Sequence, residues 1–384
     1  MSELTIQSTR VPIKITEIKL RPLKVIAEAG TVEPAWDPGG QMRITIGGGS
    51  IVEIHTDQGL VGIGPGFDPQ LMAVVERCLV GQDPFELERH VGVLRYYVHG
   101  GPYRGSAGVD IALWDLVGKA CGQPLYKLWG GGSDKVAAYA SMVRLSTPEE
   151  RADMAVQLVD AGWQAIKLRL HHETILDDLA VVEQVRAKVG DRLQIMIDAN
   201  QAQSSGNWQP GVRWDYNRAL TTARALSELG CYWLEEPLPR YAFAELARLN
   251  QAVSIPIAGG ENNRGIHEFT QMLTQNVYDV LQPESMVNVG ISELRKIGVL
   301  AEAFGKQIAP HHGGRGLGTI AHLHLVASWP HSPYLELLHD PPVVDSAHGF
   351  AALEEPPTVD SEGYLTVPQR PGLGVSIKSK FFEV

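Results

Sequence analysis

The feature that most limits what this chain can fold into is a recurrence. Short apolar runs begin near Val136, Ala165, Gln194, Tyr232, Pro256, Asp279, Gln307 and Tyr334, separated by longer stretches with helical periodicity. Strand and helix in regular alternation build right-handed βαβ units, which lay the strands side by side and parallel. Eight such strands with intervening helices make a barrel. An open doubly wound sheet is the competing arrangement, but the Gly-rich phosphate fingerprint expected after its first strand is missing.

Three of the runs end on an acid. Ile195-Met196-Ile197 precedes Asp198, Tyr232-Trp233-Leu234 precedes Glu235, and Ile257-Ala258-Gly259-Gly260 precedes Glu261. In a parallel barrel these strand ends meet at one mouth. Three carboxylates there make a hard, all-oxygen site suited to one Mg²⁺ rather than to zinc or copper. Taken singly each acid also reads as an ordinary polar loop end; their joint placement favours a metal site. Because adjacent strand residues point to opposite faces, only one of Glu235 and Glu236 is expected to face the metal squarely. Asn200 and Asn262, beside the first and third acids, are placed to orient them.

The part before the barrel has a different texture. Ile13–Ile18 and Ile51–Thr56 alternate apolar and polar, with a turn at Asp57-Gln58-Gly59, which predicts an antiparallel meander. Val32–Gly40 and Gly47–Gly49 are too rich in Gly and Pro for regular structure, and Pro69–Trp129 turns helical. The first domain is therefore α+β. Near its end the chain alternates again, at Gly363–Val367 and Pro371–Val375, and is expected to return to that first domain.

Composition excludes several function classes. A net charge of −11 with no block of Lys or Arg argues against a nucleic-acid surface. The polar Met1–Thr9 lacks the apolar core of a signal peptide, and no apolar stretch has the length of a membrane span. Cys78, Cys121 and Cys231 have no metal-ligand spacing and are expected to be buried, reduced thiols, as in a cytoplasmic protein.

Read in order, Ile-Asp-Ala-Asn, Trp-Leu-Glu-Glu-Pro, Ala-Gly-Gly-Glu-Asn, Leu-Gln-Pro-Glu and Ala-Pro-His-His form a series that resembles the enolase superfamily, within it the mandelate racemase branch that includes acid-sugar dehydratases. The resemblance implies a modified (β/α)7β TIM-like barrel (133–350) and an α+β capping domain formed by the N-terminal region (1–132) and the C-terminal segment (351–384). It selects Glu235 as the ligand, with Glu236 supporting. It places a catalytic histidine at His311, paired with Glu284, where the family usually has Asp. His312 is the local rival, read otherwise as an outward-facing loop residue. It matches Glu336 to a position that hydrogen-bonds the substrate carboxylate. It also implies a small-molecule carboxylate substrate and a homo-oligomer, dimer to octamer.

Lys167 and Arg169 lie two apart on one strand face, flanked by Ile166, Leu168 and Leu170. Buried cations need partners, so both point to the site. The family shows Lys-x-Lys here, and its usual second base is replaced by Arg169, a poor base but a good bidentate partner for a carboxylate. Racemisation needs a base on each face of the enediolate, whereas elimination of water needs one base and a proton donor. The expectation is a Mg²⁺-dependent dehydratase of an aldonate or aldarate giving a 2-keto-3-deoxy acid. A racemase, epimerase or lactone cycloisomerase is the alternative, and an inactive metal-binding homologue the third reading. The long connection Gln201–Asp215, with Trp208, Arg213 and Trp214, either shapes the pocket with Arg213 at the substrate or is a solvated insertion or an oligomer contact. Thr31–Gly49 and Gly313–Gly318 are Gly-rich candidates for mobile closures.

Overall fold

The computed structural model describes residues 12–99, 106–203 and 208–383, so Met1–Thr9 and part of the Gln201–Asp215 connection lie outside the described residues. Five strands come first: β1 (Ile15–Pro22), β2 (Val25–Val32), β3 (Met42–Gly47), β4 (Ser50–Thr56) and β5 (Val61–Pro65). β1, β4 and β5 form the expected antiparallel meander. β2 and β3 form a separate two-stranded hairpin, so much of the Gly-rich Thr31–Gly49 stretch is ladder rather than open loop. The helix Ala107–Cys121 packs on the meander at very short range: a Cβ on Gly64 would run into Gly108 O, and one on Gly108 into Pro65 O. Only glycine permits that approach.

Beyond this, β6 (Lys135–Ser141), β7 (Ala165–Arg169), β8 (Gln194–Asp198), β9 (Leu234–Glu235), β10 (Ile257–Gly259), β11 (Val280–Leu281) and β12 (Gln307–Ile308) run parallel in chain order, and β13 (Leu335–Leu338) lies parallel against β6. The ladder is open between β12 and β13, which Ile308 N–H and His331 O bridge at 3.3 Å. Helices separate successive strands, giving the (β/α)7β barrel. Their starts are local chemistry: Pro148–Asp160 opens on a capping box in which Thr147 accepts from Glu150 N while Glu150 accepts from Thr147 N.

Strand alternation sorts the side chains. Ile166, Leu168, Ile195, Ile197, Leu234 and Ile257 join the main core with the helices. The opposite parity, including Tyr139, Ala165, Met196, Trp233, Ala258 and Val280, fills the barrel interior. Continuing that inward parity two residues toward the mouth reaches Ser141, Lys167, Asp198 and Glu235. The hydrophobic floor and the polar mouth are therefore one pattern.

The C-terminal segment departs from expectation. β14 (Tyr364–Thr366) adds antiparallel to β6, on the barrel and not on the first domain. The following stretch does return: Leu373 N–H donates to Asp115 Oδ1 at 2.8 Å, and Gly372 lies against the Ala107–Cys121 helix. Of the cysteines, Cys231 is buried, but Cys78 is half-buried and Cys121 is exposed at its helix end, which corrects the expectation for those two. Among the described residues, no helix is long and apolar enough to cross a membrane.

Candidate active site

The barrel mouth gathers Asp198 from the end of β8, Glu235 from the end of β9 and Glu261 from just past β10, all buried. Lys167 Nζ lies 2.8 Å from Glu235 Oε1, 2.8 Å from Glu336 Oε1 and 3.6 Å from Asp198 Oδ2. Against burial, Glu235 and Glu336 hold the ammonium protonated above the ordinary lysine range. Arg169 pairs with Asp198 through Nη1, and donates to Asn200 Oδ1 at 3.1 Å, Ser141 Oγ at 3.1 Å and Met142 O at 2.8 Å. Trp36, from the connection between β2 and β3, covers that guanidinium, its ring centroid 4.8 Å from Arg169 Cζ.

Asn200 donates to Asp198 twice, from N at 2.8 Å and from Nδ2 at 3.0 Å, in a left-handed conformation (φ 47°) that Asn tolerates. Asn262 Nδ2 donates to Glu261 Oε1 at 3.1 Å. Gln282 Nε2 donates to Glu235 Oε2 at 2.7 Å. Sequence reasoning misses both Gln282 and Trp36, although Gln282 stands two residues before Glu284 in the Leu-Gln-Pro-Glu motif. Arg213 is exposed and is not among these contacts.

Glu236 defeats the alternation argument. Its φ of 47° ends the strand, and both Glu235 and Glu236 are buried in one carboxylate cluster. Burial, then the charges of Glu261 and Asp198, push Glu236 well above the ordinary carboxylate range; burial and Asp198 push Glu235 up to about 8. Both oxygens of Glu236 lack a hydrogen-bond partner among the described residues. Five buried carboxylates, at 198, 235, 236, 261 and 336, thus face two fixed cations, Lys167 and Arg169. An orphaned buried carboxylate in an oxygen-only donor set with excess negative charge fits a hard divalent cation.

Across the mouth, His311 Nδ1 is 2.8 Å from Glu284 Oε2, and His311 Nε2 is 3.2 Å from Glu261 Oε2. Glu284 also accepts from Gly313 N at 2.9 Å and Met286 N at 2.8 Å. Burial would raise its pKa, but the bond from His311 holds it down at about 2. Burial likewise opposes a charge on His311, and Glu261, Glu336 and Glu284 overcome it, raising the imidazole to about 10. His312 Nδ1 is bound to Gly314 O at 2.7 Å, and burial with His311 alongside pulls it down to about 4. Ligand atoms of Glu284, His311 and His312 lie within 4.8 Å of one another. The Glu284–His311 bond and the 4.0 Å between the two rings account for that closeness without an ion.

A parallel (β/α)7β barrel under an antiparallel cap, with carboxylates on neighbouring strand ends and a histidine–carboxylate pair facing them, defines an enzyme class, the capped barrels of the enolase superfamily. Models described as "Mandelate racemase / muconate lactonizing enzyme, N-terminal domain" and "Enolase C-terminal domain-like" match residues 28–130 and 150–381. The chain belongs to the mandelate racemase / muconate lactonizing enzyme family. It is 31% identical over 348 residues to an arabinonate dehydratase of Saccharolobus solfataricus, covering 86% of this chain and 88% of the relative. It is 32% identical over 346 residues to a D-galactarolactone cycloisomerase of Agrobacterium fabrum, covering 85% and 88%. A crystal structure of D-glucarate dehydratase from Agrobacterium tumefaciens, complexed with magnesium, matches with a TM-score of 0.81 at 28% identity, covering 95% of this chain and 96% of that one.

Proposed function

We propose that this protein is a Mg²⁺-dependent dehydratase of a sugar acid, with residues 133–350 as catalytic barrel, 1–132 as cap, and 351–384 divided between them, β14 on the barrel and Gly372–Leu373 against the cap helix. The observation that carries the reading is the asymmetry of the mouth: one imidazole–carboxylate pair, His311–Glu284, faces two cations, Lys167 and Arg169, which are locked in buried ion pairs. Asp198, Glu235 and Glu261 are the proposed ligands, with Glu236, Asn200 and Asn262 around them. A Mg²⁺ ion held there supplies Lewis acidity toward the substrate carboxylate, stabilising the charge that develops when the α-proton leaves.

The side chains divide the remaining chemistry. Glu284 accepts from His311 Nδ1–H and so fixes the tautomer that leaves Nε2 as the base. The charge of Glu261, 3.2 Å from Nε2, raises His311 in the absence of a cation and would be offset once Glu261 holds one. The neutral Nε2 then takes the C2 proton, and the electron pair passes into the carboxylate as an enediolate. The enediolate then expels the 3-hydroxyl, which leaves as water with the proton returned from His311, and the resulting enol ketonises to the 2-keto-3-deoxy acid. Arg169 donates to the substrate carboxylate and does not take a proton. Glu336, through Lys167, holds the carboxylate end of the site.

The relatives named as a dehydratase and as a cycloisomerase support the enolate step and leave its outcome to experiment. Aldonic and aldaric acids incubated with the protein and Mg²⁺ should give a semicarbazide-reactive keto acid. Substrate-derived lactone or epimer without keto acid would make the protein a cycloisomerase or epimerase instead. A homo-oligomer in the cytoplasm completes the proposal, the exposed Tyr96, Val299 and Phe304 supporting the oligomer alone.

A further inference from the structure

The helix Leu317–Ser328, which follows the His311 loop, is buried from Leu317 to Ala327, and among its mostly apolar side chains stands His322. This imidazole bridges the two loops that carry the proton-transfer pair. Its Nδ1 lies 2.6 Å from His311 O, after β12, and its Nε2 lies 2.7 Å from Ser285 Oγ, after β11. Ser285 Oγ is 3.2 Å from Glu284 Oε1, and Glu284 Oε2 is 2.8 Å from His311 Nδ1. The contacts close a ring that runs from His311 through Glu284, Ser285 and His322 back to His311. The same helix ties down the next carbonyl, with Thr319 Oγ1 donating to His312 O at 2.9 Å.

Donor and acceptor roles follow from the partners. A carbonyl only accepts, so His322 Nδ1 carries the proton that goes to His311 O. Burial holds His322 below the ordinary histidine range, which leaves Nε2 of the neutral ring as an acceptor. Ser285 has one hydroxyl proton between two acceptors, His322 Nε2 and Glu284 Oε1, and its oxygen is held between them. Glu284 has one more side-chain torsion than an aspartate, and so more freedom to lose when its carboxylate is fixed. Oε2 is held by His311 and by Gly313 N at 2.9 Å, and Oε1 by Met286 N at 2.8 Å and by Ser285. Ser285 and His322 are both fully buried. Apolar side chains of the same shape would fill that space without a desolvation cost, so packing alone does not call for this polar pair.

We propose that Ser285 and His322 are positioning residues for proton transfer. Ser285 fixes Oε1 of the long Glu284 side chain, His322 fixes both Ser285 and the His311 main chain, and the ring they close sets the line along which His311 Nε2 meets the substrate α-proton. Both act through Glu284 and His311 alone. Their roles rest on the α-proton abstraction proposed above.

Proton NMR of the Mg²⁺-loaded protein without substrate tests the ring apart from turnover. The His311 Nδ1 proton should give a downfield resonance, identified by its loss in His311→Asn. It should shift or broaden in Ser285→Ala and in His322→Asn, which keeps a donor toward His311 O and leaves nothing opposite Ser285. Absence of the resonance from the unmodified protein, or an unmoved resonance in both variants, overturns the ring. Exchange of the α-proton with D₂O, in whichever of gluconate, galactonate, glucarate and galactarate exchanges, gives a second readout. Ser285→Ala should lower kcat for exchange about 10-fold and change KM less than about twofold, and Ser285→Thr should recover most of the loss. In the Glu284→Asp background, whose carboxylate is one methylene shorter in reach, Ser285→Ala should cost less than about twofold. Equal loss in both backgrounds marks a packing defect and overturns the positioning role. Melting temperatures check folding; if His322→Asn unfolds, Ser285→Ala carries both measurements. If the resonance moves but the unmodified protein yields no keto acid, the dehydratase reading falls and the ring stands. If keto acid forms while the resonance does not move, the ring falls and the dehydratase reading stands.

Discussion

Ser292 Oγ donates to Asp110 Oδ1 at 2.6 Å while Ser292 N–H donates to Asp110 Oδ2 at 2.9 Å, so a carboxylate from the cap's long helix closes the N-terminus of the barrel helix Ile291–Ala303. Burial pushes Asp110 up to about 7 against the pull of those bonds. Trp114 Nε1–H completes the junction by donating to Ser292 Oγ at 2.7 Å. Asp110→Ala strands the Ser292 amide and should cost about 1–3 kcal/mol. Asp110→Asn keeps one acceptor and should cost less. Urea denaturation of both variants reads the difference, and equal stability of Asp110→Ala and the unmodified protein would refute the role.

Stability should fall on mild acidification, partly through His324. Its Nδ1 accepts from Tyr126 N–H at 3.3 Å and its Nε2–H donates to Leu373 O at 3.1 Å, an arrangement that needs the neutral ring. Burial pulls its pKa from 6.5 down to about 4. The unfolded chain therefore takes up a proton that the folded chain refuses, and stability drops as pH falls from about 6.5 to about 4, by at most roughly 3 kcal/mol from this group. Above pH 7 the contribution is flat. His324→Gln should flatten the acid limb of a denaturation-versus-pH profile; an unaltered limb would assign it to other groups.

Metal affinity should track the strand-end acids. Asp198→Asn, Glu235→Gln and Glu261→Gln should each weaken Mg²⁺ binding by calorimetry and remove activity while leaving the far-ultraviolet circular dichroism unchanged. Unchanged affinity in all three would refute the ligand assignment.

For the base, His311→Asn should abolish exchange of the substrate α-proton with D₂O, Glu284→Gln should lower it severely, and Glu284→Asp should retain much of it. Loss of exchange in His312→Asn with normal exchange in His311→Asn would move the role one residue along the loop.

A single base also predicts stereochemistry. With Arg169 protonated on one face, deuterium should enter one C2 configuration only, and C2 epimers should not interconvert. Proton NMR of both epimers of an accepted acid decides this, and label in both epimers would call for a second base.

The barrel is legible in the sequence because its strands alternate so regularly that parity alone carries Lys167, Asp198 and Glu235 to one mouth. The hairpin β2–β3 is not, because its register shifts between Val25 and Ala27 and between Glu28 and Gly30, which breaks the period-two pattern. Glu236 escapes for a related reason: alternation holds only while the backbone stays extended, and φ turns positive at that residue. Trp36 belongs to another sheet system, and its place over Arg169 comes from tertiary packing that no local pattern encodes. The return of Pro371–Val375 to the cap is readable, but the pairing of β14 with β6 is not, since a three-residue strand carries no mark of its partner.

The gap in the ladder between β12 and β13 makes the barrel a split ring rather than a closed one. The strand on one side of the split leads into His311, and the strand on the other carries Glu336. The least bonded joint of the ring therefore stands between His311 and the carboxylate that pairs with Lys167, while Asp198 and Glu235 sit side by side on continuous ladder. The seam of the ring thus falls between the histidine side of the mouth and the lysine side, and the ladder is unbroken where the carboxylates Asp198 and Glu235 gather.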